Sequence, residues 1–178
     1  MSILIAGIGN IFLGDDAFGV ELAQRLARRA LPRGVEVVDF GIRGFDLVHA
    51  LLEEHEATLL LDATPRGGAP GTLYLIEPAP DELAAADGEG AASIDPHGME
   101  PLRVLRLAWA MGARPKRLLV VGCEPSLLDP EDEAAGRLGL SQPVQAAIDE
   151  AVTLVESVLE RLLAGGEDAM DPTGWVVA

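Results

Sequence analysis

The fold of this chain is decided by residues 7–19, which read GIGNIFLGDDAFG and follow a short apolar run at residues 3–6. Glycines directly after a first strand are typical of the tight turn that leads into a phosphate-binding helix. Here, however, Asp15 and Asp16 stand at the start of the helix, where they would repel a phosphate. The stretch therefore predicts a strand–turn–helix unit that opens an α/β fold and whose acids face a cation.

Beyond this unit, apolar runs of strand length alternate with amphipathic segments of helix length. The predicted strands are residues 3–8, 35–40, 57–62, 72–76 and 117–122, and the predicted helices are residues 16–30, 46–54, 99–111 and 143–163. This alternation predicts a single α/β domain over residues 1–164, built on a largely parallel five-stranded sheet. Residues 78–98, rich in Pro, Asp, Ala and Gly, are predicted to form a long loop, and residues 165–178 a flexible tail.

Composition excludes several classes of protein. Of the 178 residues, 29 are acidic and 13 are basic, and the resulting net charge of −16 opposes binding to nucleic acid or to an anionic membrane. A single cysteine, Cys123, allows no intramolecular disulfide and no CxxC metal site. We expect a cytoplasmic protein, because the sequence has neither an apolar stretch of about 20 residues nor a basic segment before its first apolar run. A monomer is the default expectation, since nothing in the sequence indicates the oligomeric state.

Three polar residues are candidates for a site. Asp16 follows the first predicted strand, Asp62 ends the third, and His97 follows the fourth. Ligands of α/β sheets bind beyond the carboxyl ends of the strands, so we expect these side chains to share one crevice. Two carboxylates and an imidazole suit a borderline divalent cation such as nickel or zinc.

Most of these residues also have a purely structural interpretation, although a carboxylate at the end of a buried strand, such as Asp62, is harder to explain in that way. Asp16 could be an ordinary acid in a first helical turn, His97 a solvated histidine, and Asp15 is better explained as a helix N-cap than as a ligand. Asp39, at the end of the second strand, either lines the cleft or caps the turn at Gly41. Cys123 is interpreted as a small buried residue, because a thiol nucleophile needs a base and no Cys–His pair is evident.

Six short motifs together resemble those of the [NiFe]-hydrogenase maturation proteases, the endopeptidases that trim the large-subunit precursor. They are GIGN with DDAFG within residues 7–19, VDFGIRG at 38–44, LDA at 61–63, PGTL at 70–73, PHG at 96–98, and GCEP at 122–125 with LSQPV at 140–144. They follow the family order and extend over nearly the whole chain.

The resemblance implies a twisted sheet with helices on both faces and a metal-binding triad of Asp16, Asp62 and His97. The first acid of the triad is often Glu in the family, and here it is Asp. The implied substrate is a large-subunit precursor whose nickel–iron site is already loaded, and the enzyme removes a C-terminal extension just beyond its metal-binding cysteines. Nickel is then supplied by the substrate, zinc or cadmium can replace it in crystals, and no separate cofactor is expected.

The catalytic step has two interpretations, since no Ser-His-Asp, Cys-His or HExxH arrangement is visible. Nickel could polarise the scissile carbonyl and activate a water, or Asp16 or Asp62 could act as general base on that water, with Asp39 in support. Two functions of other classes are a receiver-like signalling domain and a nickel carrier without peptidase activity. Against a receiver domain, Lys116 precedes the fifth strand, whereas receivers carry a lysine after it.

Overall fold

The computed structural model describes residues 2–78, 101–126, 138–165 and 176–177. The strands are β1 Ile3–Ile8, β2 Val35–Gly41, β3 Ala57–Ala63, β4 Leu73–Ile76, β5 Leu118–Cys123 and β6 Val176–Val177. The helices are α1 Phe18–Ala27, α2 Gly44–Leu52, α3 Pro101–Ala110 and α4 Gln142–Leu163, and a 3-10 turn covers Gly14–Ala17.

The sheet is largely parallel, as predicted, with the strand order β2-β1-β3-β5-β4-β6. Strands β2, β1, β3 and β5 run parallel to one another, whereas β4 runs antiparallel to β5. All five predicted strands are present, and a further two-residue strand, Val176–Val177 within the predicted tail, pairs with β4. A two-residue strand carries no periodic pattern, but it satisfies backbone groups that β4 would otherwise expose at an edge.

Helices cover both faces of the sheet, which confirms the expected architecture. Side chains alternate along β1 and β3, so that Ile3 and Leu59 join the core under α1 and α4, while Leu4 and Leu60 join the core under α2 and α3. Both strands are buried along almost their whole length, as expected for central strands of a parallel sheet. No helix in the described ranges is long and apolar enough to cross a membrane.

The first predicted helix begins later than its sequence pattern indicates. Residues 14–17 form a separate 3-10 turn, and the regular helix α1 starts only at Phe18. Asp16 consequently lies on a tight turn between β1 and α1 rather than in the first turn of the helix. This turn presents the Asp16 carboxylate to the end of the sheet.

Candidate active site

Asp16 and Asp62 come together at the carboxyl edge of two neighbouring strands. Strands β1 and β3 are parallel, and Gly7 lies opposite Leu61, so the turn that follows β1 reaches the level of Asp62. The 3-10 turn contacts β3. The two carboxyl groups are close enough for the charge of Asp16 to raise the pKa of Asp62.

Two glycines permit this close approach. Gly9 has a φ of 135°, and a Cβ at this position would collide with the carbonyl oxygen of Asp16. At Gly19, in the first turn of α1, a Cβ would collide with the carbonyl oxygens of Ile8 and Leu61. The glycines of the opening motif therefore bring an acidic turn against the strand ends, instead of making room for a phosphate.

The Asp16 carboxylate is held by the turn that precedes it. The backbone N–H of Asn10 donates a hydrogen bond of 2.6 Å to Asp16 Oδ2. Burial raises the pKa of Asp16, and the hydrogen bond from Asn10 partly offsets that shift. The side chain is half-buried, and the hydrogen bond from Asn10 engages one of its two carboxylate oxygens. Asn10 was not among the residues predicted from the sequence, although it belongs to the GIGN motif.

Asp62 lies in an environment that strongly disfavours its ionised form. Its side chain is buried at the end of β3. Burial raises its pKa well above the ordinary value, the negative charge of Asp16 raises it further, and the backbone N–H of Ala63 opposes the shift only in part. Two facing acids, one of them buried, are costly to ionise together unless a cation lies between them.

The raised pKa of Asp62 predicts a pH dependence of folding stability. Between the ordinary value of 3.8 and the higher folded value, the folded state binds more protons than the unfolded state, so stability should fall as pH rises through this window. Asp62→Asn removes the effect. Without metal, the variant should melt above the wild type at pH 8, by a few degrees, and the gap should narrow towards pH 4. Calorimetry that finds the same gap at both pH values would contradict this account.

His97 lies outside the described residues, and its place in the triad stays a prediction. The sequence argument assumed that β4 ends at the same edge of the sheet as β1 and β3, and this was wrong because β4 is antiparallel to β5. Strand β4 begins at the edge where Asp62 lies, with Leu73 opposite Cys123, and ends at the opposite edge, with Ile76 opposite Val120. The chain after β4 therefore starts from the far edge. Within the described ranges, no group of three His, Cys, Asp or Glu residues could hold a metal.

Asp39 lies in the wall of an open cleft next to the turn that holds Asp16. The cleft is formed by residues 9–12 after β1 and by residues 39–43 at the end of β2 and just beyond it, with Val20 and Gln24 of α1. The hydrogen bond found for the Asp39 carboxylate comes from the Gln24 side chain, at 3.1 Å, and not from the backbone of Gly41. This arrangement favours the cleft-lining interpretation of Asp39 over the turn-capping one.

The prediction that Asp15 caps its own helix was wrong. Its buried carboxylate accepts hydrogen bonds from the backbone N–H groups of Ser126, at 2.8 Å, and Ser141, at 2.6 Å, and from the Ser141 hydroxyl, at 2.8 Å. Ser141 is the N-cap residue of α4 but makes no side-chain cap of its own. Asp15 thus ties the acidic turn to the segment after β5 and to the positive end of the α4 dipole.

Glu124 organises the neighbouring turn and was missed as an individual residue, although the GCEP motif contains it. Its buried carboxylate accepts hydrogen bonds from the Tyr74 hydroxyl, at 2.6 Å, and from the backbone N–H groups of Arg66 and Gly67. Cys123 beside it is a buried free thiol, as predicted. Burial, together with the charges of Asp15 and Glu124, raises the pKa of Cys123 to about 12, which argues against a nucleophilic thiolate.

Comparisons with known proteins agree on one family. Residues 20–158 match the family model described as hydrogenase maturation protease. The hydrogenase expression/formation protein HupD of Rhodobacter capsulatus is 36% identical over 152 residues, covering 84% of this chain and 69% of the relative. The hydrogenase 2 maturation protease of Escherichia coli (strain K12) is 32% identical over 171 residues, covering 96% of each chain.

The fold agrees with the same assignment. The solved structure of the hydrogenase maturating endopeptidase HybD from E. coli is similar with a TM-score of 0.68 and 28% sequence identity, covering 93% of this chain and 94% of that one. The family model spans most of the chain, and the acidic turn and the buried strand-end acid lie within one continuous α/β domain. The chain therefore belongs to the hydrogenase maturation protease family, which is a family of peptidases.

Proposed function

We propose that this chain removes the C-terminal extension of a [NiFe]-hydrogenase large-subunit precursor after nickel insertion, and that it recognises the nickel bound to that substrate. The names of the relatives support a role in processing a hydrogenase precursor. Recognition of nickel is argued from the residues of this chain. We further propose that the protein acts in the cytoplasm as a monomer.

One observation supports the proposal most strongly: the buried carboxyl of Asp62 lies close enough to that of Asp16 for the Asp16 charge to raise its pKa. In the described residues, neither acid has an ion pair with a basic side chain. A divalent cation that arrives with the substrate would neutralise both charges and lower both pKa values. The pair is therefore suited to bind a substrate that carries a metal and to disfavour one that does not.

The reaction requires both that the metal site of the precursor is bound and that a water is activated. Asp16, held through Asn10, and Asp62, held at the end of β3, would orient the loaded metal site of the precursor, with His97 as the proposed third contact. Hydrolysis of the peptide bond then needs an activated water. Nickel polarisation of the scissile carbonyl and general-base action by one of the two carboxylates both stay compatible with this geometry.

Mass spectrometry of a nickel-loaded large-subunit precursor, before and after mixing with the purified chain, tests the proposed function. We expect a single cut that reduces the precursor mass by one C-terminal peptide. A nickel carrier without peptidase activity would leave the mass unchanged while taking up nickel from the precursor. An unchanged precursor mass would therefore overturn the proposal.

Two substitutions at Asp16 test whether processing requires a carboxylate at this position or an aspartate specifically. Asp16→Glu keeps the charge and adds one methylene, and the resemblance implies that Glu is common at this position, so processing should continue. Asp16→Ala removes the charge and should be inactive. Initial rates of precursor cleavage measure both variants. An inactive Glu variant beside an active Ala variant would show that the role given to Asp16 is wrong.

A further inference from the structure

Four large apolar side chains are exposed at the cleft: three of them line it, and the fourth, Phe45, follows in the first turn of α2. They are Ile11 and Phe12 on the turn after β1, exposed by 45% and 62%, and Ile42 and Phe45 after β2, exposed by 59% and 61%. We call these four residues the apolar rim. Apolar side chains clustered at a cleft of this kind mark interaction surfaces, whereas scattered ones do not.

The rim is a fixed feature, because local hydrogen bonds hold both turns. The N–H of Gly9 donates to the carbonyl of Gly41 at 3.1 Å, which joins the two turns to each other. The N–H of Phe12 donates to the side-chain oxygen of Asn10 at 3.0 Å, which fixes the turn that presents the Phe12 ring. The backbone of the two turns is thus held in place before any partner binds, which lowers the entropic cost of binding.

The rim is connected to Asp16 through Asn10. Asn10 lines the cleft, and its N–H is the donor to the Asp16 carboxylate. A polypeptide segment that lies in the cleft would therefore pass the residue that holds the Asp16 carboxylate. The volume of about 350 Å³ suits a short segment of chain rather than a folded element.

The charges of the cleft indicate the character of that segment. The guanidinium of Arg43 is already engaged by the Asp46 carboxylate, at 3.3 Å, and by the backbone carbonyls of Phe40 and Asp39. The Asp39 carboxylate, by contrast, accepts from the neutral amide of Gln24. Counted together, Asp39, Arg43 and Asp46 carry one net negative charge, on a chain of net charge −16. The cleft therefore favours a neutral or basic segment over an acidic one.

We propose that the apolar rim and the cleft bind the part of the precursor polypeptide next to the scissile bond, as an extended, apolar segment without acidic residues. This inference rests on the proposed function and adds the surface by which the substrate is held. The rim would bind the substrate equally well in the ground state and in the transition state, while the acids act on the metal and on the scissile bond. Loss of the rim should therefore weaken substrate binding and leave the chemical step nearly unchanged.

Steady-state cleavage of the nickel-loaded precursor by the double variant Phe12→Ser/Ile42→Ser tests the proposal. We expect KM to rise by about tenfold with kcat nearly unchanged, as for the loss of apolar anchors that bind ground and transition states alike. Phe45→Ser gives an independent second measurement. The matched control is Met111→Ser, a side chain exposed by 53% after α3, at the edge of the sheet where β5 begins.

The outcomes separate this inference from the proposed function. A higher KM in the rim variants, with Met111→Ser equal to wild type, supports the docking surface. An unchanged KM in the rim variants, or an equal rise in the control, overturns the docking surface while wild-type cleavage still upholds the proposed function. Failure of the wild-type protein to cut the loaded precursor overturns the proposed function and this inference with it.

Discussion

Replacing Asp62 with Asn should abolish processing while the protein stays folded. The substitution keeps the size of the side chain and removes a charge that is buried and repelled by Asp16. Loss of a group that only supports a metal ligand typically lowers metal affinity or activity by about 10–100-fold. Loss of a residue that contacts the metal directly should therefore lower the cleavage rate by about 100-fold or more. The free energy of unfolding should not fall, because an amide is less costly to bury than a carboxylate. Cleavage rates and circular dichroism measure the two effects.

An exposed aspartate provides the control for this experiment. Asp149 on α4 is highly exposed and forms a surface ion pair with Arg25 at 3.5 Å, so Asp149→Asn makes the same chemical change away from the site. It should process the precursor at the wild-type rate and lose little stability. If Asp62→Asn processes precursor as fast as Asp149→Asn does, Asp62 has no part in the reaction.

Precursor that lacks nickel should stay uncut at any practical concentration of the protein. The described residues offer two carboxylates, while sites for borderline cations usually take four or more ligands. Nickel held by the cysteines of the precursor would bring the remaining ligands, so binding should depend on the substrate and metal together. We expect cleavage of the nickel-free precursor to be slower by about 100-fold or more.

Free nickel should not replace nickel inserted into the precursor. Added to the protein with unloaded precursor, it meets an incomplete site and no substrate ligands, so the rate should stay at its low value. Gel analysis of loaded precursor, unloaded precursor, and unloaded precursor with free nickel compares the three cases directly. Efficient cleavage of metal-free precursor in a strong chelator would contradict recognition of the metal, although the chain would still be a peptidase.

The sequence predicted the layers of the fold because its signals are local. Apolar runs such as residues 57–62 are buried on both faces of the sheet, and the apolar stripe of residues 143–163 forms α4. The direction of β4 could not be predicted in this way, because alternation of side chains is the same in parallel and antiparallel strands. Strand β6 was missed because two residues carry no period.

The part of the site that lies at the ends of parallel neighbouring strands was predictable from the sequence. Parallel neighbouring strands place their ends at one edge, and this was sufficient to bring Asp16 and Asp62 together. The partner of Asp15 was not predictable, because the contact to Ser141 joins residues 126 positions apart. The topological argument for His97 failed through the direction of β4, so its role rests on the resemblance alone.

The contact between the acidic pair and the nickel of the substrate is the central claim, and X-ray absorption at the nickel edge tests it most directly. Loaded precursor would be mixed with the wild-type protein, frozen before cleavage, and compared with precursor alone and with precursor mixed with Asp62→Asn. The account predicts additional oxygen ligands on nickel in the wild-type mixture and fewer in the Asp62→Asn mixture. A nickel spectrum identical in all three samples, with the proteins bound, would contradict it.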